Sequence, residues 1–354
     1  MSKMKHAAIG ISAVAAFLLA PQFAPSVGAA DINLRASGIP STHKYHIALE
    51  RDFYKTLAAK TGLDVEANFN SLDVLGVAMK DTLRLARVGT FDVVETTAGE
   101  AARDDPFLEG LDLIGVSPSL ETLKKAVEAY RKVFSDRVEK RFNAKVMTLW
   151  PYGPQVFYCK PKITGLADLK GLKVRSYTPS MSAVLEALGA IPVALSFKEV
   201  YPALQRGVTD CSITSPTSGN TGNWPEVTKY YMPLGINWSV NAHFMNLDTW
   251  KKMSPQAQKK IAAAYVKLEE KFWNLARNNN GDANNCNTGK DPCTKFKRFK
   301  MNLVVPSEAD SKLLHTAVSQ SVLPAWAKSC NAAEPTCSKI WNETVGKARG
   351  FTIK

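Results

Sequence analysis

A two-lobed α/β fold is what this sequence predicts, and three observations predict it. Short apolar strands alternate with amphipathic helices from Ile32 to Thr97, and the same alternation returns between Lys173 and Ile213. A chain of 354 residues is also long enough to give each lobe a core of its own. A weak internal echo links the halves: a helix ends at Gly89 with Asp92 three residues on, and another ends at Gly207 with Asp210 three residues on.

The elements follow in order. Asn33–Ser37 reads as a strand, and the helix after it places Ile47, Phe53, Tyr54 and Leu57 on one side before stopping at Gly62. Val65–Phe69 is a second strand. Beyond Leu75–Gly76, a helix through Met79, Leu83, Leu85 and Ala86 reaches Gly89, and a strand over Phe91–Val94 ends at Glu95-Thr96-Thr97. A helix rich in Lys and Arg covers Leu120–Val138. Lys173–Ser176 is a short strand, and Thr178-Pro179 starts a helix with proline at its first position; Met181, Val184, Leu185 and Leu188 follow at helical spacing up to Gly189. Ser196-Phe197-Lys198-Glu199 is a capping box that opens the next helix, which ends at Gly207 before a strand over Val208–Ile213. A long amphipathic helix runs from about Pro255 to Arg277, its stripe of Ile261, Tyr265, Leu268, Phe272 and Leu275 read as core packing. Lys295–Lys300 alternates basic and aromatic residues, which reads as a half-buried strand with a solvated basic face; docking onto a membrane partner is the alternative.

The first 30 residues set Lys3 and Lys5 before an apolar run from Ala7 to Ala20 and then the small residues Gly28, Ala29 and Ala30, the order of a secretory leader. The run is too short to span a bilayer and Pro21 interrupts it. The mature chain is thus expected to be exported and soluble. Its net charge is +13 with the leader included and stays basic without it. Lys and Arg are spread along the chain with no zinc module, RNA-binding aromatic motif or basic tail, so an anionic small ligand or a solvated surface explains the charge better than nucleic acid. Export permits disulfides. Cys286–Cys293 and Cys330–Cys337 share one short spacing and each closes a small polar loop, so both are expected to bridge; Cys159 and Cys211 either bridge or remain two buried thiols.

No GxSxG elbow, HExxH pair, phosphate-binding GxxxxGK[ST] loop or strand-borne GxGxxG occurs, and few histidines are available as general bases. No metal site and no cofactor are expected. His43 and His46 either line a cleft or sit satisfied in the core. Asp104-Asp105 reads as solvated charge. The informative stretch is Asp168–Arg175, followed by Leu188–Val193 and Phe197–Asp210. Arg175 ends a strand and precedes a helix N-terminus, where a guanidinium fork and free N–H groups both favour an anion. On physical grounds alone, a structural arginine paired with a surface acid is as good a reading.

From Asp168 to Asp210 the sequence resembles the DctP-type periplasmic solute receptors of tripartite ATP-independent periplasmic (TRAP) transporters, whose run "DLKGLKxR…GA…P…F.EVY.ALQ.G..D" it matches almost throughout. Lys229-Tyr230, Thr249-Trp250, Met253–Gln256, Leu75-Gly76 and Gly89–Asp92 extend the resemblance over most of the chain. It implies a periplasmic-binding-protein-like fold of the type II kind: two lobes with mixed sheets flanked by helices, joined by strands and spanned by a long helix. The expected division is residues 31–151 with about 241–285 in lobe I, and 152–240 with about 286–354 in lobe II. It implies a monomeric receptor that closes on a small organic acid and delivers it to membrane permease subunits, with no catalysis. An exported hydrolase or isomerase on the same scaffold and a ligand-dependent sensor are the alternatives.

Carried over residue by residue, the resemblance puts Arg175 on the carboxylate-binding arginine and Phe197 on the aromatic that packs against the ligand. Two departures stand out. Gln155 takes the place of a second arginine, and Thr214 or Ser215 takes the place of a ligand-binding asparagine. Without the second fixed charge a second buried carboxylate lacks a partner, so a monocarboxylate is expected. Thr97 and Trp238 complete the candidate ligand-binding set. Trp150, Tyr152, Trp224 and Trp238 flank the expected cleft strands and either stack on a ligand or belong to the core.

Overall fold

A computed structural model describes residues 31–354; the leader expected over residues 1–30 lies outside the described residues. Eleven strands form two sheets among the described residues. They are β1 (Ile32–Gly38), β2 (Val65–Ser71), β3 (Val93–Thr97), β4 (Ala144–Pro154), β5 (Val156–Cys159), β6 (Lys173–Ser176), β7 (Ile191–Ala194), β8 (Cys211–Thr214), β9 (Tyr230–Met232), β10 (Trp238–Asn246) and β11 (Asn302–Leu303). The first sheet has the order β2-β1-β3-β10-β4 and the second β11-β9-β5-β8-β6-β7. In each, parallel neighbours joined through helices lie beside an antiparallel strand, β10 in the first sheet and β5 in the second. This is the expected two-lobed α/β arrangement with mixed sheets.

The chain crosses between sheets at Gln155 and returns through Ile236–Asn237. The two crossings are bonded to each other: the Gln155 N–H donates to the Asn237 carbonyl at 2.7 Å, and the Ile236 N–H to the Gln155 carbonyl at 2.9 Å. The helix Pro255–Thr288 spans both lobes. Its Ala257, Ile261, Tyr265, Leu268 and Phe272 pack into the core beneath the first sheet, while Asn287 near its end donates to the Tyr158 hydroxyl at 2.9 Å in the second. It continues past the expected stop at Arg277 because Asn279, Asn280, Ala283, Cys286 and Asn287 are buried, and the Asn287 amide, which sequence periodicity reads as loop, is bonded to Asn220 and Tyr158.

The internal echo is structural. Asp92 accepts from the Arg35 N–H at 2.9 Å and returns its own N–H to the Arg35 carbonyl at 2.9 Å; Asp210 accepts from the Lys173 N–H at 2.8 Å and returns its N–H to the Lys173 carbonyl at 2.7 Å. The glycine before each adopts left-handed backbone, with φ of 73° at Gly89 and 74° at Gly207, which lets the helix stop and the strand begin in three residues. The strands start later than expected, at Val93 and Cys211, because the Thr90 and Val208 N–H groups still close the preceding helices on the Leu85 and Ala203 carbonyls, each at 2.9 Å.

Two expectations fail. Asp105, read as solvated charge, is 1% exposed and paired with Arg137 at 2.6 Å. Lys295–Lys300 is not a strand. Its backbone donors go to the end of the long helix, Phe299 to the Cys286 carbonyl at 2.7 Å and Lys295 to the Asp282 carboxylate at 3.0 Å, so no neighbouring strand is needed to satisfy them. All three cysteine pairs are bridged, Cys286–Cys293 and Cys330–Cys337 as expected and Cys159–Cys211 between facing residues of β5 and β8.

Candidate functional site

A cavity of about 590 Å³ lies between the two sheets. Arg175 on β6 is its electrostatic centre. The side chain is only 3% exposed, yet it makes no ion pair with any described acid. Its Nε donates to the Leu195 carbonyl at 3.0 Å and its Nη1 to the Ile213 carbonyl at 2.9 Å. The guanidinium carbon stands 4.7 Å from the centre of the Tyr177 ring and 5.9 Å from that of Trp224. Carbonyl dipoles and ring faces thus hold the cation without neutralising it. Burial lowers its pKa to about 10, far enough above neutrality to keep it charged.

Aromatic side chains shape the same wall. Phe197, in the first turn of the helix Phe197–Arg206, stacks on Trp224 with ring centres 5.3 Å apart and lies 4.6 Å from His43. The capping box fixes that first turn, with Glu199 accepting from the Ser196 N–H at 2.9 Å. His43 and Tyr152 are hydrogen-bonded through Nδ1 and the hydroxyl, and Ser218 donates to that hydroxyl at 2.8 Å. Burial drives the His43 pKa well below its ordinary value, so the ring is neutral and Nδ1 accepts from tyrosine.

The opposite wall comes from the first sheet. Thr97 and Asn241 face each other in register on β3 and β10, and both line the cavity with Ser239, whose hydroxyl is 2.7 Å from that of Tyr177. Glu100 lines it too; burial raises its carboxyl while Arg175, Arg103 and Lys80 pull it down. Gln155 sits at the crossing, 1% exposed, its Nε2 donating to the Gly153 carbonyl at 3.2 Å.

The structure therefore gathers Arg175, Gln155, Phe197, Thr214 and Thr97 around one cavity. Ser215 stands behind its wall, capping the helix Pro216–Thr221 by accepting from the Ser218 N–H at 3.1 Å. Trp238 also lies outside the lining, half-buried against the larger hydrophobic core. Of the other tryptophans, Trp224 lines the cavity and Trp150 is core, stacked on Phe272 at 4.0 Å.

The model of the bacterial extracellular solute-binding proteins, family 7, matches residues 36–299. The chain belongs to that family. The C4-dicarboxylate-binding periplasmic protein DctP of Rhodobacter capsulatus is 26% identical over 167 residues, 45% of this chain and 50% of its own length. The chain thus spans about half of that relative. DctP7 of Bordetella pertussis, an extracytoplasmic solute receptor binding pyroglutamic acid, superposes with a TM-score of 0.78 at 21% identity, over 88% of this chain and 99% of the other. A TRAP periplasmic solute-binding protein of Desulfovibrio salexigens with bound orotic acid gives 0.79 at 18% identity, over 89% and 99%. At these identities the likeness is one of fold. Family 7 members are solute-binding receptors, not enzymes, and the cavity is accordingly a place to hold a molecule.

Sequence reasoning missed Asn241, Ser239, Tyr177 and Glu100. A signal existed for two of them: Ser239, Asn241 and His243 alternate with apolar residues along Trp238–Asn246, which places three polar side chains on one face of a buried strand. Tyr177 follows Arg175 by two residues. Among the described residues no helix is long and apolar enough to cross a membrane, and no cluster of metal-binding side chains is gathered.

Proposed function

We propose that this chain is the periplasmic receptor of a TRAP transporter, that it binds a small organic acid with one carboxylate, and that it hands the ligand to the membrane permease subunits. The observation that carries the reading is Arg175: a charged guanidinium buried at the cavity wall that no acid of the fold pairs with directly. A buried cation of this kind is stabilised by an anion that brings its own charge and accepts from the fork. Gln155 supports one carboxylate over two, since a neutral amide stands at the crossing and the other cations at the cavity, Lys80, Arg103 and Lys198, are exposed. Thr214 and Thr97 supply hydroxyls, Phe197 an apolar face. Closure proceeds about the two crossing segments and desolvates the carboxylate between the lobes.

The test is a thermal-shift screen of the mature protein, freed of bound ligand by unfolding and refolding, against mono- and dicarboxylates. An acid at 100 times its Kd raises stability by about 2.7 kcal/mol, and Arg175→Ala cuts this to about 1 kcal/mol or less at the same acid concentration. A panel in which no acid shifts the wild type, or a shift that Arg175→Ala leaves intact, overturns the reading.

A further inference from the structure

The wall across the cavity from Arg175 has the reverse chemistry. Asn241 on β10 lines the cavity and is fully buried. Its Nδ2 donates to the Glu95 Oε1, which turns its Oδ1 away from Glu95, and that oxygen has no hydrogen-bond partner among the described residues. Gln155 repeats the arrangement. Its Nε2 is held by the Gly153 carbonyl, so the amide cannot be turned round without setting two oxygens against each other, and its Oε1 is likewise buried without a partner. Two amide groups on the cavity lining therefore each commit an N–H inside the protein and leave their buried oxygen without a partner.

Such an arrangement is unfavourable unless something completes it. A buried acceptor without a donor costs about as much as a lost hydrogen bond, and native proteins leave few of them. The wall is also uncharged where Asn241 stands. Burial and the neighbouring Glu50 carboxyl push Glu95 well above the ordinary carboxylate range, and the His243 ring beyond it is neutral, 2.9 Å from Glu50 through Nε2. The complement of a neutral, acceptor-bearing wall is a neutral donor, a hydroxyl or an N–H.

We infer that Asn241 is a specificity residue that accepts a hydrogen bond from a hydroxyl or N–H of the ligand, with Gln155 as a second acceptor, so that this receptor selects donor-bearing monocarboxylates over donor-free ones of the same shape. The inference rests on the carboxylate reading and divides its ligand class. A site that hydrogen-bonds a ligand OH or NH rejects the analogue lacking it because its own polar atoms are then left unpaired.

Calorimetry with matched acids tests it: glycolate against acetate, lactate against propionate, and pyroglutamate against cyclopentanecarboxylate, on the wild type and on Asn241→Leu. In the wild type the donor-bearing member of each bound pair is expected to bind at least about tenfold more tightly. In Asn241→Leu that preference falls to about threefold or less, while the donor-free members bind no more weakly than before. Equal affinities within the pairs, or a preference that survives in Asn241→Leu, overturn the assignment while leaving the carboxylate reading intact. Failure of every acid to bind overturns the carboxylate reading and the inference with it. The wild-type comparison stands alone if the variant does not fold.

Discussion

Two buried arginines, in two regions of the molecule, resolve their charge in opposite ways. Arg137, on the helix Leu120–Phe142, is 8% exposed and its Nε lies 2.6 Å from Asp105, its Nη1 2.9 Å from Glu334. Arg175 is 3% exposed and has carbonyls and aromatic faces for company, but no acid within ion-pair distance. Both guanidiniums lie over a ring, Phe107 for Arg137 and Tyr177 for Arg175, so neither burial nor a ring contact separates them. What separates them is whether the fold brings the counter-charge or leaves it to be brought.

The largest effect expected from that contrast is on stability, at Arg137. Arg137→Ala takes from the fully buried Asp105 its closest cation and leaves it only Arg141, 3.7 Å away and half-exposed, and removing one member of a buried pair costs about 3 kcal/mol. Urea titration reads this as a lower midpoint at unchanged slope, and the affinity of the protein that remains folded is unaltered. Arg175→Ala is the mirror case. Affinity for the best acid of the panel falls by about thirtyfold or more, the cost of truncating one side of a desolvated charge contact. Stability without ligand changes far less, since no buried acid is stranded. If Arg175→Ala unfolds the protein as severely as Arg137→Ala does, the two arginines are of one kind and the contrast is broken.

The acids sharpen it. Asp105 has its arginine, whereas Glu109, 2% exposed, meets no cation and accepts from the Ser180 N–H at 2.9 Å, in the first turn of the helix Pro179–Ala187. Burial pushes the Glu109 carboxyl up to about 7. In the unfolded chain the group releases its proton near pH 4.5, so between there and pH 7 the folded protein holds a proton that the unfolded one has lost. Its contribution is complete below pH 4.5 and is lost as pH rises towards 7, with a slope of up to about 1.4 kcal/mol per pH unit. Glu50, Glu95 and Asp112, also raised by burial, act in the same direction, so the informative quantity is the difference between wild type and Glu109→Gln. Urea midpoints from pH 4.5 to 7.5 should fall less steeply in the variant; parallel profiles would show that Glu109 is ionised throughout.

How much of this was legible in the sequence follows the range of the interactions involved. The Ser196–Glu199 capping box, the stop at Gly207 and the paired Gly89–Asp92 and Gly207–Asp210 signals act over a few residues, and the structure has them all. Arg175 and Phe197 were legible as candidates because a long local motif surrounds them, and they line one cavity. Long-range partners were not legible. Lys295–Lys300 has the alternation of a strand, but its donors find helix-end carbonyls and Asp282 instead, and no periodicity encodes that choice. The last turns of the long helix carry asparagines that favour loops by propensity and are overruled by buried contacts with the second lobe. Asn241 hid in a strand whose alternation was visible while its neighbour Glu95, 146 residues away, was not.

The smallest effect belongs to Phe197, and it asks whether the cation or the rings around it do the holding. Phe197 stacks on Trp224, which also flanks Arg175 at 5.9 Å, and so it braces the guanidinium at one remove. Phe197→Leu keeps an apolar side chain in the cavity but removes the ring face offered to a ligand, worth about 1 kcal/mol, together with the contacts to Trp224 and His43. Calorimetry is expected to show about a fivefold loss of affinity for the best acid, and the urea midpoint falls modestly because the lost Trp224 and His43 contacts are made without ligand. A loss as large as that of Arg175→Ala would mean that the aromatic wall anchors the ligand, and that the unpaired charge of Arg175 is incidental to binding.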